Sequence, residues 1–421
     1  MSWPTLFFPT LTSRPLPSGA FYDALVIGGG PGGATAALML AKAGWSVAVI
    51  EKKRFPRRKV CGEFISATTL PLLEHLGLAQ AFLGMAGPPV RTTGLFAGDT
   101  VLLAELPRLN GHSDGWGRAL GREWLDELVL SSAACAGATV WQPWSAIELR
   151  TCGGFHLCRI GSQEDVHKRI ELRSRAIIVA HGSWEAGTLP TQARLRSQRP
   201  ADLFGFKAHL RNCTLAPGFM PVLAFSGGYG GIVETDGARV TFGCCIRRDS
   251  MQSARAERPE LQAAEAVMQY IQKACRGARE VFAEARPEGP WLAVGPIRPG
   301  LRRYYGNGFF FVGNAACEAH PIVGEGITMA MQSAWLLCTR LIQRQDEVLA
   351  SRGLEEIGRD YGAACRRHFI HRVHAAALFG HLAMRPTAAA SVLPVLRRFP
   401  QLLTLCARLS GKVRSMVTPV S

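Results

Sequence analysis

Residues 22–51 read YDALVIGGGPGGATAALMLAKAGWSVAVIE, and this stretch decides the fold. Its apolar run at 24–27 is typical of a parallel strand that is buried on both faces. Gly28, Gly30 and Gly33 follow with G-x-G-x-x-G spacing, and an alanine- and leucine-rich helix and a second strand come next. The pattern predicts a strand–helix–strand unit that binds a dinucleotide, with its phosphates at the helix N-terminus.

Glu51 stands at the end of the second predicted strand. An acid at this position accepts hydrogen bonds from ribose hydroxyls, and it favours FAD or NAD over NADP because their 2′-hydroxyl is free. The run KKRFPRRK at 52–59 follows directly and contains six basic residues. Within this run we expect Arg58 and Lys59 to neutralise phosphate, while the other side chains lie in a solvated loop.

The composition is that of a globular protein with two or three packed units, since 48% of the 421 residues are hydrophobic and 19% are charged. The net charge of +16 suits an acidic cofactor, an acidic substrate or an anionic membrane. Zinc-finger spacing, RNP-like segments and basic helices with heptads are absent from the sequence, so no nucleic-acid partner is predicted.

The twelve cysteines form no C-x-x-C pair, and His368, His371, His374 and His381, which fall partly on one helix face, favour a cationic surface over a metal site. We therefore expect no metal site and reduced thiols in a cytoplasmic protein. The first twenty residues lack the basic start and apolar run of a signal peptide. No apolar run in the sequence reaches the length of a membrane span.

A second informative stretch lies near residue 320. An apolar strand ends in Gly313 and Asn314, and a loop with Pro321 leads to Gly324 and Gly326, which open an amphipathic helix. This predicts a second helix N-terminus with close backbone access, suited to a carbonyl or an anion of a ligand.

The middle of the chain has the pattern of a second sheet. Residues 204–246 contain four alternating or β-branched runs, and Asp236-Gly237 is a hairpin signal between two of them. Residues 90–106 predict another hairpin, which turns at 97–99. We expect this sheet to cover the cofactor as a substrate domain.

The C-terminal region is basic and helical. Residues 359–421 contain ten Lys or Arg and a single acid, Asp360. The segment 393–409 mixes Leu, Phe and Arg, so it packs on the core of the protein, which we favour, or on an anionic membrane surface. Peripheral contact with a membrane is therefore the open alternative.

Three motifs occur in an order that resembles the para-hydroxybenzoate hydroxylase superfamily of FAD enzymes over residues 22–345: the dinucleotide unit, Arg122-x-x-Leu-Asp126 and the Gly-Asn…Pro…Gly-x-Gly segment. KVCGE at 59–63 and GEGITMAMQS at 324–333 look most like the geranylgeranyl reductase branch. The resemblance implies an α/β fold in three parts: a discontinuous Rossmann-like FAD-binding domain (20–90, 110–190 and 290–350), a β-sheet-rich substrate domain (90–110 and 200–290) and C-terminal helices (351–421).

The resemblance also implies which residues contact FAD: Gly28, Gly30, Gly33, Glu51, Arg122 and the segment 313–326, with Gly313, Asn314, Pro321, Gly324 and Gly326. At two positions the chain departs from the family. Asn314 replaces the usual Asp beside the flavin, and His181-Gly182 replaces an Asp-Gly that lies near NAD(P)H. Neither the Tyr-x-Trp-x-Phe-Pro pattern of the reductase branch nor the Trp-x-Trp-x-Ile-Pro signature of flavin halogenases is present, and the second absence argues against halogenation.

We expect an FAD-dependent oxidoreductase that acts on a large, mostly apolar molecule of secondary or lipid metabolism. The reaction is the reduction of a double bond or, alternatively, the hydroxylation of an aromatic or polyketide substrate, with NAD(P)H docking transiently as the reductant. Cys61, Glu63 and His320 are the predicted catalytic groups near the flavin ring. The alternative function, from a different functional class, is that of a non-catalytic flavoprotein or a membrane-associated carrier.

Overall fold

The structure is a computed structural model that describes residues 19–112, 114–182, 187, 189–192 and 197–412. The predictions made for residues 1–18, for part of the linker expected at 186–202 and for the last nine residues lie outside this range. The strands are β1 (Phe21–Ile27), β2 (Val47–Ile50), β3 (Phe64–Ile65), β4 (Thr92–Ala97), β5 (Thr100–Glu105), β6 (Arg118–Ala119), β7 (Thr139–Trp141), β8 (Trp144–Cys152), β9 (Phe155–Ser162), β10 (Arg169–Val179), β11 (Leu203–Arg211), β12 (Phe219–Phe225), β13 (Gly228–Glu234), β14 (Val240–Arg247), β15 (Arg286–Pro287), β16 (Leu292–Ile297), β17 (Gly300–Leu301), β18 (Tyr305–Gly306), β19 (Phe309–Phe311) and β20 (Cys317–Glu318). The helices are α1 (Pro31–Lys42), α2 (Leu70–Leu76), α3 (Ala79–Met85), α4 (Arg122–Cys135), α5 (Arg248–Glu257), α6 (Ala263–Ala274), α7 (Arg276–Val281), α8 (Gly326–Gln343), α9 (Gln345–Leu349), α10 (Leu354–Ala383), α11 (Pro386–Arg398) and α12 (Gln401–Leu409).

The first sheet has the order β18-β19-β10-β1-β2-β7, and its five strands from β19 to β7 are parallel. β8 and β9 extend it through antiparallel pairing of β9 with β10. The apolar run at 24–27 lies in β1 at the centre and is buried, as a strand with neighbours on both sides requires. α1 packs against α4 and α8, so the predicted strand–helix–strand unit is confirmed.

The second sheet has the order β15-β11-β14-β13-β12-β4-β5, with β16 also paired to β11. Its pairs are antiparallel except for β4 and β12. The hairpin predicted at 90–106 is β4–β5, and the turn predicted at Asp236-Gly237 joins β13 to β14. Phe206, Phe242 and Ile271 lie in the core between this sheet and helices α5–α7. The predicted fold class is therefore confirmed, whereas the domain boundaries stay predictions.

The C-terminal helices connect the two sheets. α10 packs against α8 and also contacts β12 and β13 of the second sheet. Tyr361 on α10 donates a hydrogen bond to the carbonyl of Phe311 at 2.7 Å, at the end of β19. α11 and α12 pack on α10, and α12 also contacts β5. In the part of the chain that the structure describes, no helix is long and apolar enough to cross a bilayer.

Candidate cofactor and substrate site

The turn after β1 accepts only glycine at two positions. Gly28 has a φ of +108°, and a Cβ atom there would lie 2.5 Å from the carbonyl oxygen of Ala180. A Cβ atom on Gly33 would lie 1.9 Å from the carbonyl oxygen of Gly28. The two glycines therefore let α1 begin directly against the end of β1, with its free amide groups at the carboxyl edge of the sheet.

Glu51 follows β2 at the same edge and is buried. Its two carboxylate oxygens accept backbone N–H groups, one from Gly29 at 2.8 Å and one from Lys53 at 2.9 Å. Glu51 lines a first cavity of about 280 Å³ together with Gly28, Gly30, the basic run, Trp144 and His181. The remaining lone pairs of the carboxylate can accept ribose hydroxyls, as the sequence predicts.

Three cations meet where the first cavity adjoins a second one, which is lined by the loop that carries Cys61 and by the start of α8. Arg122 binds Asp126 through two hydrogen bonds of 2.7 Å, and Arg57 lies 3.5 Å from Asp126 and 3.6 Å from Glu51. Lys59 lines both cavities. Burial and the positive charges of Arg122 and Arg57 lower the pKa of Lys59 to about 8. Three cations facing two carboxylates favour an added anion, so the diphosphate of FAD fits here.

Arg58, for which the sequence predicts a phosphate contact, also lines the first cavity, but its guanidinium already binds other groups of the protein. Its guanidinium donates to the carbonyl of Glu288 at 2.7 Å and lies 3.4 Å from the carboxylate of Glu123. Arg57, the neighbouring residue, faces the carboxylates of the cofactor edge instead. The geometry therefore favours Arg57 for the role predicted for Arg58.

The second cavity, of about 170 Å³, brings the two informative stretches of sequence together. Arg122 and the loop that carries Cys61 form one side of it, and the start of α8 forms the other. Its further lining includes the residues that the resemblance assigns to the flavin: Gly30, Gly313, Asn314, Pro321, Gly324 and Gly326. Gly324 has a φ of +65° and precedes α8, whose N-terminal amides face this cavity.

Glu318 is a buried carboxylate that no sequence motif marks, and it lines the second cavity. The side-chain amide of Asn314 donates to Glu318 at 3.0 Å, and Arg302 forms a salt bridge with the same carboxylate at 2.9 Å. Arg302 also donates to the carbonyl of Asn314 at 2.6 Å. The chain thus keeps a carboxylate beside the position where the related enzymes usually carry Asp.

His181, the other departure from the family pattern, lines the first cavity rather than the second. Its Nδ1 lies 2.9 Å from the carbonyl oxygen of Gly182, and its Nε2 lies 3.2 Å from that of Thr191. Both ring nitrogens therefore contact backbone, and the prediction about NAD(P)H docking stays a prediction.

Of the three predicted catalytic groups, Cys61 and Glu63 line the second cavity. Cys61 also lines a third cavity of about 130 Å³ between the loop 60–64 and the second sheet. His320 is buried, with its Nδ1 3.0 Å from the hydroxyl of Tyr229, and it does not line either cavity. Burial and the neighbouring His381 lower the pKa of His320 to about 4, so the ring is neutral at pH 7.

Glu63 lies in a buried cluster that we call the Glu63 cluster: Glu63, Lys207, His209 and Thr241. The carboxylate accepts hydrogen bonds from His209 at 2.8 Å, from Thr241 at 2.5 Å, from the backbone N–H of Arg122 at 2.8 Å and from Lys207. Burial would raise the pKa of Glu63, but Lys207 and His209 outweigh it and hold the pKa at about 2. The carboxylate is therefore ionised and bonded, and the geometry does not favour Glu63 as a proton donor.

Glu63, Glu123 and His209 offer three ligand atoms within 4.8 Å of one another. Cations of the protein already occupy this space, because Lys207 pairs with Glu63 and Arg239 lies 3.0 Å from Glu123. Arg239 also lies 3.3 Å from Nδ1 of His209. We therefore interpret the group as an ion-pair network and propose no metal for it.

The third cavity is apolar and adjoins a fourth. Phe206, Tyr229 and Cys245 are among its walls. The fourth cavity, of about 230 Å³, lies between the second sheet and helices α10–α12. Four apolar residues line both cavities: Met220, Val222, Ile322 and Val323. The four cavities thus form a series from the dinucleotide edge to the C-terminal helices.

Comparison with known proteins matches residues 22–189 to the FAD binding domain family. Menaquinone reductase of Mycolicibacterium smegmatis is 22% identical over 415 residues, which cover 93% of this chain and 91% of the reductase. Conditioned medium factor receptor 1 of Dictyostelium discoideum is 25% identical over 346 residues, which cover 78% of this chain and 64% of the receptor. The chain therefore spans less than two thirds of that second relative.

The fold is also similar to that of the myxobacterial chondrochloren halogenase, an FAD-dependent halogenase. The TM-score is 0.74 at 20% identity, and the match covers 93% of this chain and 91% of the halogenase. The similarity in fold is to a halogenase, whereas the sequence similarity over nearly the whole chain is to a reductase, so the fold alone does not select the reductase branch to which the sequence motifs point. The match of residues 22–189 to the FAD binding domain family, together with the cavities at the carboxyl edge of the first sheet, identifies FAD as the cofactor of this protein.

Proposed function

We propose that this protein is an FAD-dependent oxidoreductase that reduces a double bond of a large, mostly apolar molecule. The observation that carries the proposal is the apolar third cavity, which shares Cys61 and Pro321 with the predicted flavin cavity and opens towards the fourth. Together the third and fourth cavities suit a substrate with a reactive head and an apolar tail. Similarity to a menaquinone reductase over nearly the whole chain supports reduction of such a molecule.

Bound FAD supplies the hydride chemistry, and the protein positions the substrate, excludes water and supplies a proton. Cys61 carries a thiol where the second and third cavities meet. Glu63 is held ionised, and His320 is neutral and lies behind Tyr229. Of the three predicted catalytic groups, Cys61 is therefore the best placed to protonate a substrate carbon.

Replacing Cys61 by Ala is expected to lower turnover by about 100-fold, since a positioned general acid contributes about 10²–10⁴ in rate. The absorbance of bound FAD is expected to stay unchanged. Cys135 is exposed on α4 and provides the matched control, because Cys135→Ala removes a thiol far from the cavities. The assay follows the oxidation of NADPH or NADH with a panel of isoprenoid and phenolic lipids. Equal turnover of Cys61→Ala and the wild type would remove Cys61 from the chemistry.

Hydroxylation is the second candidate, because the fold is shared with an FAD-dependent halogenase and therefore does not by itself select reduction. The two reactions differ in their need for oxygen. With FAD reduced under anaerobic conditions, a reductase yields a product that gains two hydrogen atoms. A product that forms only in air, with an added oxygen or halogen atom, would overturn the proposed reduction.

The affinity for FAD is expected to fall above about pH 8. The pKa of Lys59 is about 8 without the cofactor, and a diphosphate favours the charged amine, so binding requires proton uptake at higher pH. The Kd is then expected to rise by up to about tenfold per pH unit until the pKa of the complex is reached. Flavin fluorescence titrations between about pH 7 and pH 9.5 measure this slope. Lys59→Met should abolish this pH dependence of the Kd. Lys53 is an exposed residue of the same run, and Lys53→Met should retain the pH dependence.

A further inference from the structure

The last three helices carry an unusual share of exposed apolar side chains. Single exposed apolar residues are normal, whereas groups of them mark contact sites. Phe399 is 51% exposed and Leu409 is 57% exposed. In the described range, six large apolar side chains are exposed on or beside α10, α11 and α12: Leu378, Val392, Val395, Phe399, Leu405 and Leu409.

These side chains follow helical spacing. Val395 and Phe399 are four positions apart and form one stripe along α11, whereas Val392 is partly exposed and also lines the fourth cavity. Leu405 and Leu409 are four positions apart and form one stripe on α12. Each helix therefore presents an ordered apolar face to the outside.

α12 is apolar on its inner face as well. Leu403 and Ala407 are also four positions apart, on the side of the helix opposite Leu405, and both line the fourth cavity. Leu396 on α11 lines the same cavity. A layer one helix thick thus separates the apolar cavity from an apolar outer surface.

The surroundings of this surface are cationic. Arg385, Arg398 and Arg408 are exposed on or beside the same helices, and the guanidinium of Arg398 lies 5.5 Å from the ring centre of Phe399. Residues 361–421 contain no Asp or Glu. Arginines beside exposed Leu and Phe are the composition of a helix that lies in the interface of an anionic bilayer.

We propose that α11 and α12 bind the surface of an anionic lipid bilayer and that the apolar substrate passes between them into the fourth cavity. The membrane contact rests on the exposed apolar stripes, the arginines and the absence of acids from residues 361–421. The route of the substrate rests additionally on the proposed function. An acidic soluble protein would also suit the arginines, but it would not account for four exposed apolar side chains in ordered stripes.

Vesicle flotation of the full-length, FAD-loaded protein tests the contact. We expect binding to vesicles of phosphatidylcholine with phosphatidylglycerol and little binding to phosphatidylcholine alone. The double variant Leu405→Glu with Leu409→Glu should reduce the bound fraction by about tenfold or more. Val166→Glu places a single glutamate at a 74% exposed apolar residue between β9 and β10, and it should bind like the wild type.

A second variant, Arg398→Gln with Arg408→Gln, leaves the apolar stripes intact and should weaken binding to anionic vesicles by about tenfold. FAD absorbance and thermal melting of each variant show whether it is folded. Equal flotation of the folded leucine variant and the wild type overturns the proposal. The proposal is also overturned if the wild-type protein binds no vesicles, or if it binds neutral and anionic vesicles equally. FAD content and anaerobic reduction are measured without vesicles, so a failed membrane contact is distinguishable from a failed function.

Discussion

Lys207→Met is expected to lower the free energy of unfolding by about 3–5 kcal/mol, because it leaves a buried carboxylate without its cation. The side chains of Lys207 and Glu63 are 1% and 0% exposed, so water cannot replace the lost ammonium group. His209 and Thr241 still donate to Glu63, but neither carries the permanent charge that offsets burial of the carboxylate. Urea unfolding, followed by circular dichroism, measures the change.

Two further variants isolate the buried charge. Lys273→Met makes the same change in an exposed ion pair with Glu257, and it should alter stability by less than about 0.5 kcal/mol. Lys207→Met combined with Glu63→Gln removes both charges and should recover part of the loss, which a double-mutant cycle quantifies. If Lys207→Met and Lys273→Met lower the free energy of unfolding by the same amount, the buried ion pair of Lys207 and Glu63 stabilises the protein no more than an exposed pair does.

The cofactor half of the site could be predicted because its determinants are local in sequence. The apolar run at 24–27, the spacing of Gly28 and Gly33, and the position of Glu51 all lie within one strand–helix–strand unit. Each residue type reports a backbone requirement there: glycine for close approach and an acid at the end of a strand. The β4–β5 hairpin was predictable for the same reason, since its two strands and its turn are contiguous.

The Glu63 cluster could not be predicted because its members are far apart in the chain. Lys207 and His209 alternate along β11, a pattern that normally indicates the solvent face of a strand. Here they face Glu63, which lies 144 and 146 residues away in sequence. Only the packing of the second sheet on the loop 60–64 turns a polar face into a buried one.

The different roles of neighbouring residues could not be predicted from the sequence either. Arg57 and Arg58 look equivalent in a basic run, and the path of the loop sends one to Asp126 and the other to Glu288. Glu318 had no sequence signal beyond being an acid in a loop. Its role becomes visible only when Asn314 and Arg302 bind it beside the second cavity.

Gly33→Ala is expected to weaken FAD binding by about 100-fold. The new methyl group would lie 1.9 Å from the carbonyl oxygen of Gly28 and 2.9 Å from Cβ of Ala180, so α1 must move away from β1. Overpacking of this kind costs up to about 3 kcal/mol, and 1.4 kcal/mol corresponds to tenfold in Kd. The N-terminal amides of α1 would move with the helix and lose their approach to the diphosphate.

Gly84→Ala is the matched control, because Gly84 lies within α3 and has no heavy atom within 4 Å of the Cβ position. It should leave FAD binding unchanged and stabilise the fold by about 0.5–1 kcal/mol, since alanine restricts the unfolded chain more than glycine does. Fluorescence titration with FAD and thermal melting of both variants separate binding from folding. If folded Gly33→Ala binds FAD as the wild type does, the close contact of α1 with β1 does not position the diphosphate. The anion site then depends on Lys59, Arg57 and Arg122, and the pH slope assigned to Lys59 should persist in Gly33→Ala.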